Sequence, residues 1–487
     1  MLLSEIFPYW NIIQELSKEQ GVDVYLIGGF IRDFVLNNIK TKDFDFSLSD
    51  KALDFAQLFA NKINGAYVLL DEDNKCARVV KKQKGNIITY DFANFRAKSL
   101  KEDLKHRDFT INTLCVDIND LSEKCSLTDK IQDHQNGLQD IECKKIVMNS
   151  HFVFDEDPLR IMRAFSLKAQ LGFDIDSNTL QEIKGNINKI CNVSMERVRE
   201  ELFKVLLSSN AFEVLSDMDE LGLLVKIIPQ IHIMQDCHQG GYHHLDVWKH
   251  SLEAVRQVEE VLAILTEEIN CIEDLSNYLD EYIAGGHKRI GVLRLACLLH
   301  DIGKPETKEK KGDRYSFHSH ENLGARVVKH VNKLLKLSRQ ESFAIEQMVK
   351  LHLRPGYLSD LKDMTERSIY RFFRDAKNES VSILILSLSD QRATRGPLTT
   401  QELQDKHKEV CLKLIDKYFE DKKRTPIKRL VTGNDLIKHF KLKPSPTFKI
   451  ILENIEEQQV LQNLTDKEKV MLVAKDIIKS YDNKENI

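Results

Sequence analysis

Between Val22 and Val147 the chain sets short runs that alternate apolar and polar residues (VDVYLI, DFDFSL, AYVLL, ARVVKK, NIITYDF) against segments of helical spacing. A period of two puts successive side chains on opposite faces of a strand, so this stretch predicts a compact α/β head. From Pro158 onward the apolar positions recur at i, i+3, i+4 and i+7, as in EDPLRIMRAFSLKAQ and VREELFKVLLSS, which predicts an almost entirely helical remainder. The fold class is therefore α+β. The opening residues MLLSEIFPYWNIIQELSKEQ read as an amphipathic helix, breaks fall near Pro229 to Gly241 and near Thr425, and no internal repeat is present. The lysine-rich stretch Lys308 to Asp313 reads as a solvated loop and the final SYDNKENI as a loose tail.

A length of 487 residues implies several domains, about three or four at the usual domain size. With 42% hydrophobic and 30% charged residues, 20 Gly and 9 Pro, the composition excludes collagen-like and disordered classes. The net charge of −4 neither marks nor excludes a nucleic-acid binder, because phosphate binding depends on local clusters of Lys and Arg. Nine cysteines without a CxxC pair fit reduced thiols better than disulfides or a zinc ribbon, and no run approaches the ~20 apolar residues of a membrane span. A cytoplasmic protein without a membrane partner is expected.

The segment VYLIGGFIRDFVLNNIKTKDFDFSL combines a strand, the pair Gly28-Gly29, a short helix with Arg32, and a strand bearing Asp43 and Asp45. Glycines let backbone N–H groups approach a triphosphate at a helix start, and Arg32 adds charge for its oxygens. Asp43 and Asp45, two apart on a strand, project from one face, where a carboxylate pair can hold two divalent cations, while Phe44 and Phe46 face the core. That is a nucleotidyl-transfer arrangement. The plain alternative, a turn followed by a solvated edge strand, explains either feature alone better than both in this order.

This GG…RD…DxD pattern resembles the polymerase β-type nucleotidyltransferases, specifically the class II CCA-adding tRNA nucleotidyltransferases and bacterial poly(A) polymerases. KEDLKHRDFTINTL resembles the family's RRDFTINA-like motif, which implies that Arg107 and Asp108 contact the ribose or phosphates of the incoming nucleotide; His106 stands where the family usually has Arg. Asp91 is either a third acidic group near the metals or a structural carboxylate. Residues Asn94 to Asp103 match the position of the flexible loop that the resemblance associates with the switch from C to A addition.

DEDPLRIMRAF resembles the class II EDxxR motif, with Glu156, Asp157 and Arg160. Asp157 and Arg160 are three apart and Arg163 lies one turn further, so all three share a helix face. A carboxylate accepts from an exocyclic amino group and an arginine donates to a ring nitrogen. Cytosine and adenine both offer that pair, whereas G and U present the reverse polarity. The competing reading is a helix cap with ion pairing. Arg197 and Arg199 in SMERVREEL read either as a solvated face or as support for this helix or the RNA. TGNDLIKHFKLKPSPTFKIILENI resembles the tRNA-binding tail of the family, with Ser445 and Lys449 replacing family glycines.

In the middle of the chain, His250, the pair His300-Asp301, and Asp390 follow the H…HD…D order and resemble the HD phosphohydrolases. Such ligands suit a divalent transition metal that activates water against a phosphate ester. His320 and His352 stand where some HD proteins bind a second metal or the scissile phosphate, Lys304 is placed to neutralise that phosphate, and His243 and His244 have no assigned role.

These resemblances imply four parts: a nucleotidyltransferase head (1–147), a helical neck (148–228), an HD domain (229–424) and a tRNA-binding tail (425–487). They imply Mg²⁺ at Asp43 and Asp45, CTP, ATP and tRNA as substrates, and no obligate protein partner. The expected activity is CCA addition. Alternatives are A-only or CC-only addition, then poly(A) synthesis, then an HD hydrolase with a degenerate head.

Overall fold

The computed structural model describes residues 3–38, 42–83, 85–124, 126–241, 243–312, 314–396, 399–424, 428–443, 445 and 447–485. These form two compact units, one of residues 1–210 and 217–227, the other of 211–216 and 228–487.

In the first unit the opening residues form a helical turn at Leu3–Ile6 and then α1 (Trp10–Gln20), not one helix, followed by β1 (Val24–Ile27), α2 (Gly29–Val35), β2 (Asp43–Leu48), α3 (Ala52–Ile63), β3 (Ala66–Asp71), β4 (Cys76–Gln83) and β5 (Asn86–Asn94). After α4 (Leu100–Leu104) comes β6 (Cys115–Asp117). The six strands form one sheet in the order β3-β4-β5-β2-β1-β6. Only β2 and β5 run parallel, pairing Asp43 with Thr89 and Asp45 with Asp91. One sheet face is paved with aromatic rings: Phe44 stacks on Tyr90 at 5.3 Å, Phe46 on Phe92 at 4.8 Å, and Phe59 meets both Tyr90 and Phe92 edge-on. Burying that face leaves the alternate residues of β2 and β5, among them both carboxylates of the D-x-D pair, on the other.

The helical part of this unit includes α5 (Val153–Glu156), α6 (Leu159–Leu171) and α7 (Met195–Leu206). Pro158 opens α6, where its missing N–H costs no helical bond, and Gly172 closes it in the left-handed region at φ 67°.

In the second unit, α8 (Val247–Glu268) starts from the Asp246 side chain, which accepts the Lys249 N–H. It packs on the buried α12 (Ser380–Ala393), with α9 (Arg289–Leu299) and α11 (Arg339–Leu351) beside that helix and α10 (His320–Leu334) packed on α11. The lysine-rich stretch is a hairpin, not a loop: β7 (Lys308–Lys311) pairs with β8 (Arg314–Phe317), and the Lys308 ammonium sits 4.3 Å from the Tyr315 ring centroid. Asp313 lies outside the described residues, as does the break expected at Thr425. Short two-stranded pairs at 145–146 with 174–175 and at 282–283 with 287–288 also interrupt the helical remainder.

At the C-terminus, α13 (Gly433–Phe440), α14 (Thr447–Leu461) and α15 (Lys467–Glu485) enclose a small core of Val431, Leu436, Ile451, Ile455, Val470, Ala474 and Ile478. The expected loose tail is helical through Glu485, because the Tyr481 hydroxyl accepts from Asn454 on α14 at 2.8 Å and its ring packs on that core. Residues 486 and 487 lie outside the described ones. No helix of the described residues is long and apolar enough to cross a membrane.

Candidate active sites in the head and in the HD segment

Strand β1 runs into Gly28, whose φ of 83° and ψ of −142° suit no residue with a Cβ. A Cβ there would also stand 3.2 Å from Asp45 Oδ2 and 3.9 Å from an Arg107 nitrogen. Gly28 thus brings backbone against the Asp45 carboxylate. Gly29 lacks this constraint, its nearest neighbour being an Arg32 nitrogen at 3.6 Å. Asp43 and Asp45 share a face as the spacing predicts, and Asp91 joins them from β5 in register with Asp45. Asp43 is exposed and accepts from the Thr89 hydroxyl, whereas burial pushes the Asp45 carboxyl up to about 6 against the pull of Arg107 and Arg163. Asp91 is held bidentately by Arg78 of β4, both contacts 2.7 Å.

The charged groups behind the pair form a chain. Arg32, 9% exposed, is directed to Asp33 at 2.7 and 2.9 Å and to Asn112 at 2.7 Å, so it braces the glycine turn against the Thr110–Asn112 turn. Asn112 donates to Asp108 at 3.1 Å, and Arg163 grips the other Asp108 oxygen at 2.7 and 2.8 Å. Burial alone would raise the Asp108 carboxyl, but Arg163, Asn112 and the Phe109 N–H bring it down to about 2. Arg163 is held in turn by Glu201 of α7 at 3.9 Å. Arg107 is enclosed beside Asp45, and burial lowers its guanidinium.

At the neck, Asp157 and Arg160 lie three apart in sequence but have separate side-chain partners. Asp157 has extended backbone between α5 and α6, caps the Leu159 N–H at 3.1 Å and receives Arg197 of α7 at 2.7 Å. Arg160, 7% exposed, donates to the His106 carbonyl at 2.7 Å, the Val153 carbonyl at 3.1 Å and Glu156 at 2.9 Å. The cap reading of Asp157 describes this turn, but the expected common helix face does not, because Asp157 is extended and precedes the helix that carries Arg160 and Arg163. Arg197 proves to be an anchor of Asp157, whereas Arg199 pairs with its neighbour Glu200.

Sequence reading missed Asn112, Asp103 and Glu201. Asp103 is 3% exposed, accepts from Ser47 Oγ and the Arg96 N–H, each at 2.8 Å, and so ties the connection between β5 and α4 to β2 at Arg96. No local signal marks Asp103, because beside Lys101 and Glu102 in LKEDL it reads as one more exposed charge, and its buried donors lie on other elements.

In the second unit, two groups of side chains bring ligand atoms within 4.8 Å of one another: His250, His300, Asp301 and Asp390, and then Asp301, His320 and His352. The H…HD…D residues therefore converge, and Asp301 belongs to both groups. His250 Nε2 is 2.8 Å from Asp390, and His300 Nε2 is 3.2 Å from one Asp301 oxygen. His320 and His352 approach the other oxygen at 3.3 and 3.8 Å.

Three of these imidazoles are oriented alike. Nδ1 of His300, His320 and His352 meets the carbonyl three residues earlier, of Cys297, Phe317 and Val349, at 2.8, 2.8 and 2.7 Å. A carbonyl only accepts, so each Nδ1 carries a proton and Nε2 is the ring atom turned to the shared space. Among the described residues neither Asp301 oxygen has a hydrogen bond of good geometry, although Lys304 Nζ stands 2.6 Å away. Burial works against a charge on His300, but Asp301 and Asp390 outweigh it and push its pKa up to about 10. An enclosed arrangement of this kind suits a dication, which would take that proton's place. The His243 ring stands 4.7 Å from His250, and burial, with Lys304, pulls its pKa down to about 3.

Comparison with known proteins agrees with this layout. Residues 24–147 match the poly A polymerase head domain, 172–234 the probable RNA- and SrmB-binding site of polymerase A, and 247–421 the HD domain. The chain is 29% identical to the A-adding tRNA nucleotidyltransferase of Deinococcus radiodurans over 90% of this chain and 91% of that one. It is 25% identical to the CC-adding tRNA nucleotidyltransferase of Thermus thermophilus over 92% of each. Its fold matches that of a Thermotoga maritima CCA-adding enzyme complexed with tRNA at a TM-score of 0.59 and 19% identity, covering 98% of this chain and 96% of that one. Poly A polymerase head, RNA-binding segment and HD domain succeed one another along a single chain that is similar over nine tenths of its length to tRNA nucleotidyltransferases, which makes it a nucleotidyltransferase with an HD domain.

Proposed function

We propose that the protein adds the CCA sequence to tRNA 3′ ends from CTP and ATP without a nucleic-acid template. The observation that carries this reading is the Asp43–Asp45 face beside Gly28 and Arg107, joined through Asp108 and Arg163 to the helix that follows Asp157 and carries Arg160. Magnesium held by Asp43 and Asp45 would supply positive charge to the triphosphate and make the primer 3′-hydroxyl more acidic. The 3′ oxygen attacks the α-phosphorus, the bond to the β-phosphate oxygen breaks, pyrophosphate leaves, and the hydroxyl proton passes to solvent.

The chain's own residues divide the remaining work. Gly28 and Gly29 open the backbone to the phosphates, with Arg32 bracing that turn, while Arg107 and Asp108 meet the phosphate and ribose. Asp157 and Arg160 read the base edge, and Arg163 keeps that helix attached to Asp108. The four-part division at 147, 228 and 424 belongs to the same proposal, with the tail taking the tRNA. The test is incubation of purified protein with Mg²⁺, CTP, ATP and a tRNA transcript ending at the discriminator base, read by mass spectrometry. Growth by C, C and A followed by arrest is the expected result; no growth sinks the reading.

A second reading, addition of A alone or CC alone, is favoured by one observation. The stretch matched to the switching loop is held rather than loose, its backbone tied to Asp103 at Arg96 and its second half wound into α4. Relatives with each partial activity are among those matched. Arrest after CC, or growth only on a transcript already ending in CC, would establish it.

For the second unit we propose a phosphohydrolase acting on phosphomonoesters or 2′,3′-cyclic phosphates. A divalent transition metal on His250, His300, Asp301 and Asp390 would activate water there, with His320 and His352 available to a second ion through Asp301.

A further inference from the structure

The turn proposed to read the base has two halves, each with its own anchor. Arg197 secures Asp157, whereas Arg160 depends on a closed loop of contacts that begins at a residue outside the reading turn. His106 Nδ1 meets Glu156 Oε1 at 2.5 Å, the other Glu156 oxygen takes Arg160 at 2.9 Å, and Arg160 returns to the His106 carbonyl at 2.7 Å. The imidazole packs on the Phe152 ring at 5.8 Å, and its backbone N–H is held by the Asp103 carbonyl at 3.0 Å. A carboxylate has only lone pairs to offer, so Nδ1 is the donor to it.

Resting on the base-reading role proposed for Asp157 and Arg160, we infer that His106 is a positioning residue for nucleotide selection: by clamping Glu156 it fixes the Arg160 fork at the angle that a C or A edge requires. Arg160 has five donors in a rigid plane, so the partners it meets on one edge decide where the others point. Without His106, Glu156, which is partly exposed, is free to swing into solvent and Arg160 loses one of its three fixed partners. Base discrimination relies on polar groups left unpaired by the wrong edge, so a loosened fork costs selectivity as well as affinity.

The experiment compares wild-type full-length protein with H106A, H106R, E156A and the double variant H106A/E156A, measuring kcat and KM for CTP, ATP, UTP and GTP on the same tRNA transcript. H106A should raise KM for the correct nucleotides and lower their preference over UTP and GTP by about fivefold, the size expected for a partly screened charged contact, with kcat little changed. H106R, which also donates to Glu156, should restore both quantities. The double variant should lose no more than H106A, because both act through one contact. Wild-type KM and selectivity in H106A, an equal fall in kcat for every nucleotide, or additive losses would each overturn the inference while leaving the transferase reading intact. Wild-type protein that incorporates neither CTP nor ATP would remove the reading turn and this inference together.

Discussion

Asp45 carries a stability cost that its chemistry requires, and Asp45→Asn exposes it. The carboxyl is pushed from an ordinary 3.8 to about 6, chiefly by burial. Between those two values the folded protein binds a proton that the unfolded chain has released, so stability falls as pH rises through the window and stays low above it. A shift of about two units corresponds to ~3 kcal/mol in metal-free protein at neutral pH. Asparagine keeps the shape of the protonated acid and removes that cost. In a unit of this size, each kcal/mol moves the midpoint by about 2–4 °C, so the variant should melt roughly 6–12 °C higher at pH 7.5 in chelator. At pH 4 and below the gain should shrink towards zero, because wild-type Asp45 is then protonated in the folded state. Calorimetry at both pH values checks this, taking for the head the transition that Mg²⁺ with CTP shifts in the wild type, since a chain of two units need not unfold in one step. Nucleotide incorporation should meanwhile fall by roughly a hundredfold or more. A variant no more stable than wild type at pH 7.5, or a gain that persists unchanged at pH 4, would refute the reasoning.

Gly28→Ala should destabilise the head by about 1–3 kcal/mol and crowd the Asp45 carboxylate, since it combines a positive φ with a 3.2 Å approach, whereas Gly29→Ala should change stability by no more than about 0.5 kcal/mol; thermal melts of the pair check this. Arg197→Ala, removing an anchor whose side chain is 53% exposed, should leave stability within about 0.5 kcal/mol but raise KM for CTP and ATP about threefold in steady-state assays. His352→Ala should lower the metal content of purified protein by one ion and Asp301→Ala should abolish it, as read by elemental analysis. His300→Ala should abolish hydrolysis of a phosphomonoester while nucleotide incorporation continues; loss of both activities in a folded variant would contradict two separate sites.

Local spacing reported which side chains face the same way, and that is why Asp43 with Asp45 and the buried Phe44 with Phe46 were legible. It could not report competition among partners distant in sequence. Arg32 stands on the predicted helix yet is committed to Asn112, eighty residues away, and Arg160 is turned to backbone carbonyls at 106 and 153. Asp91 was recognised as ambiguous because its answer lies on another strand, in Arg78. The hairpin at 308–317 was missed because its lysines, read as a charge run, conceal a pairing partner rich in aromatic residues. His320 and His352 were linked by resemblance and not by spacing, and it is the helix ends turning both towards Asp301 that bring them together.

The three imidazoles that lean on carbonyls at 297, 317 and 349 have a bearing on how this chain can drift. Their orienting partner is main chain, so the cysteine, phenylalanine and valine at those positions can be exchanged for any residue the packing tolerates without releasing a ring. Related chains can therefore differ freely there and keep the same nitrogen geometry, and a comparison of side chains alone would overlook half of what aims the ligands.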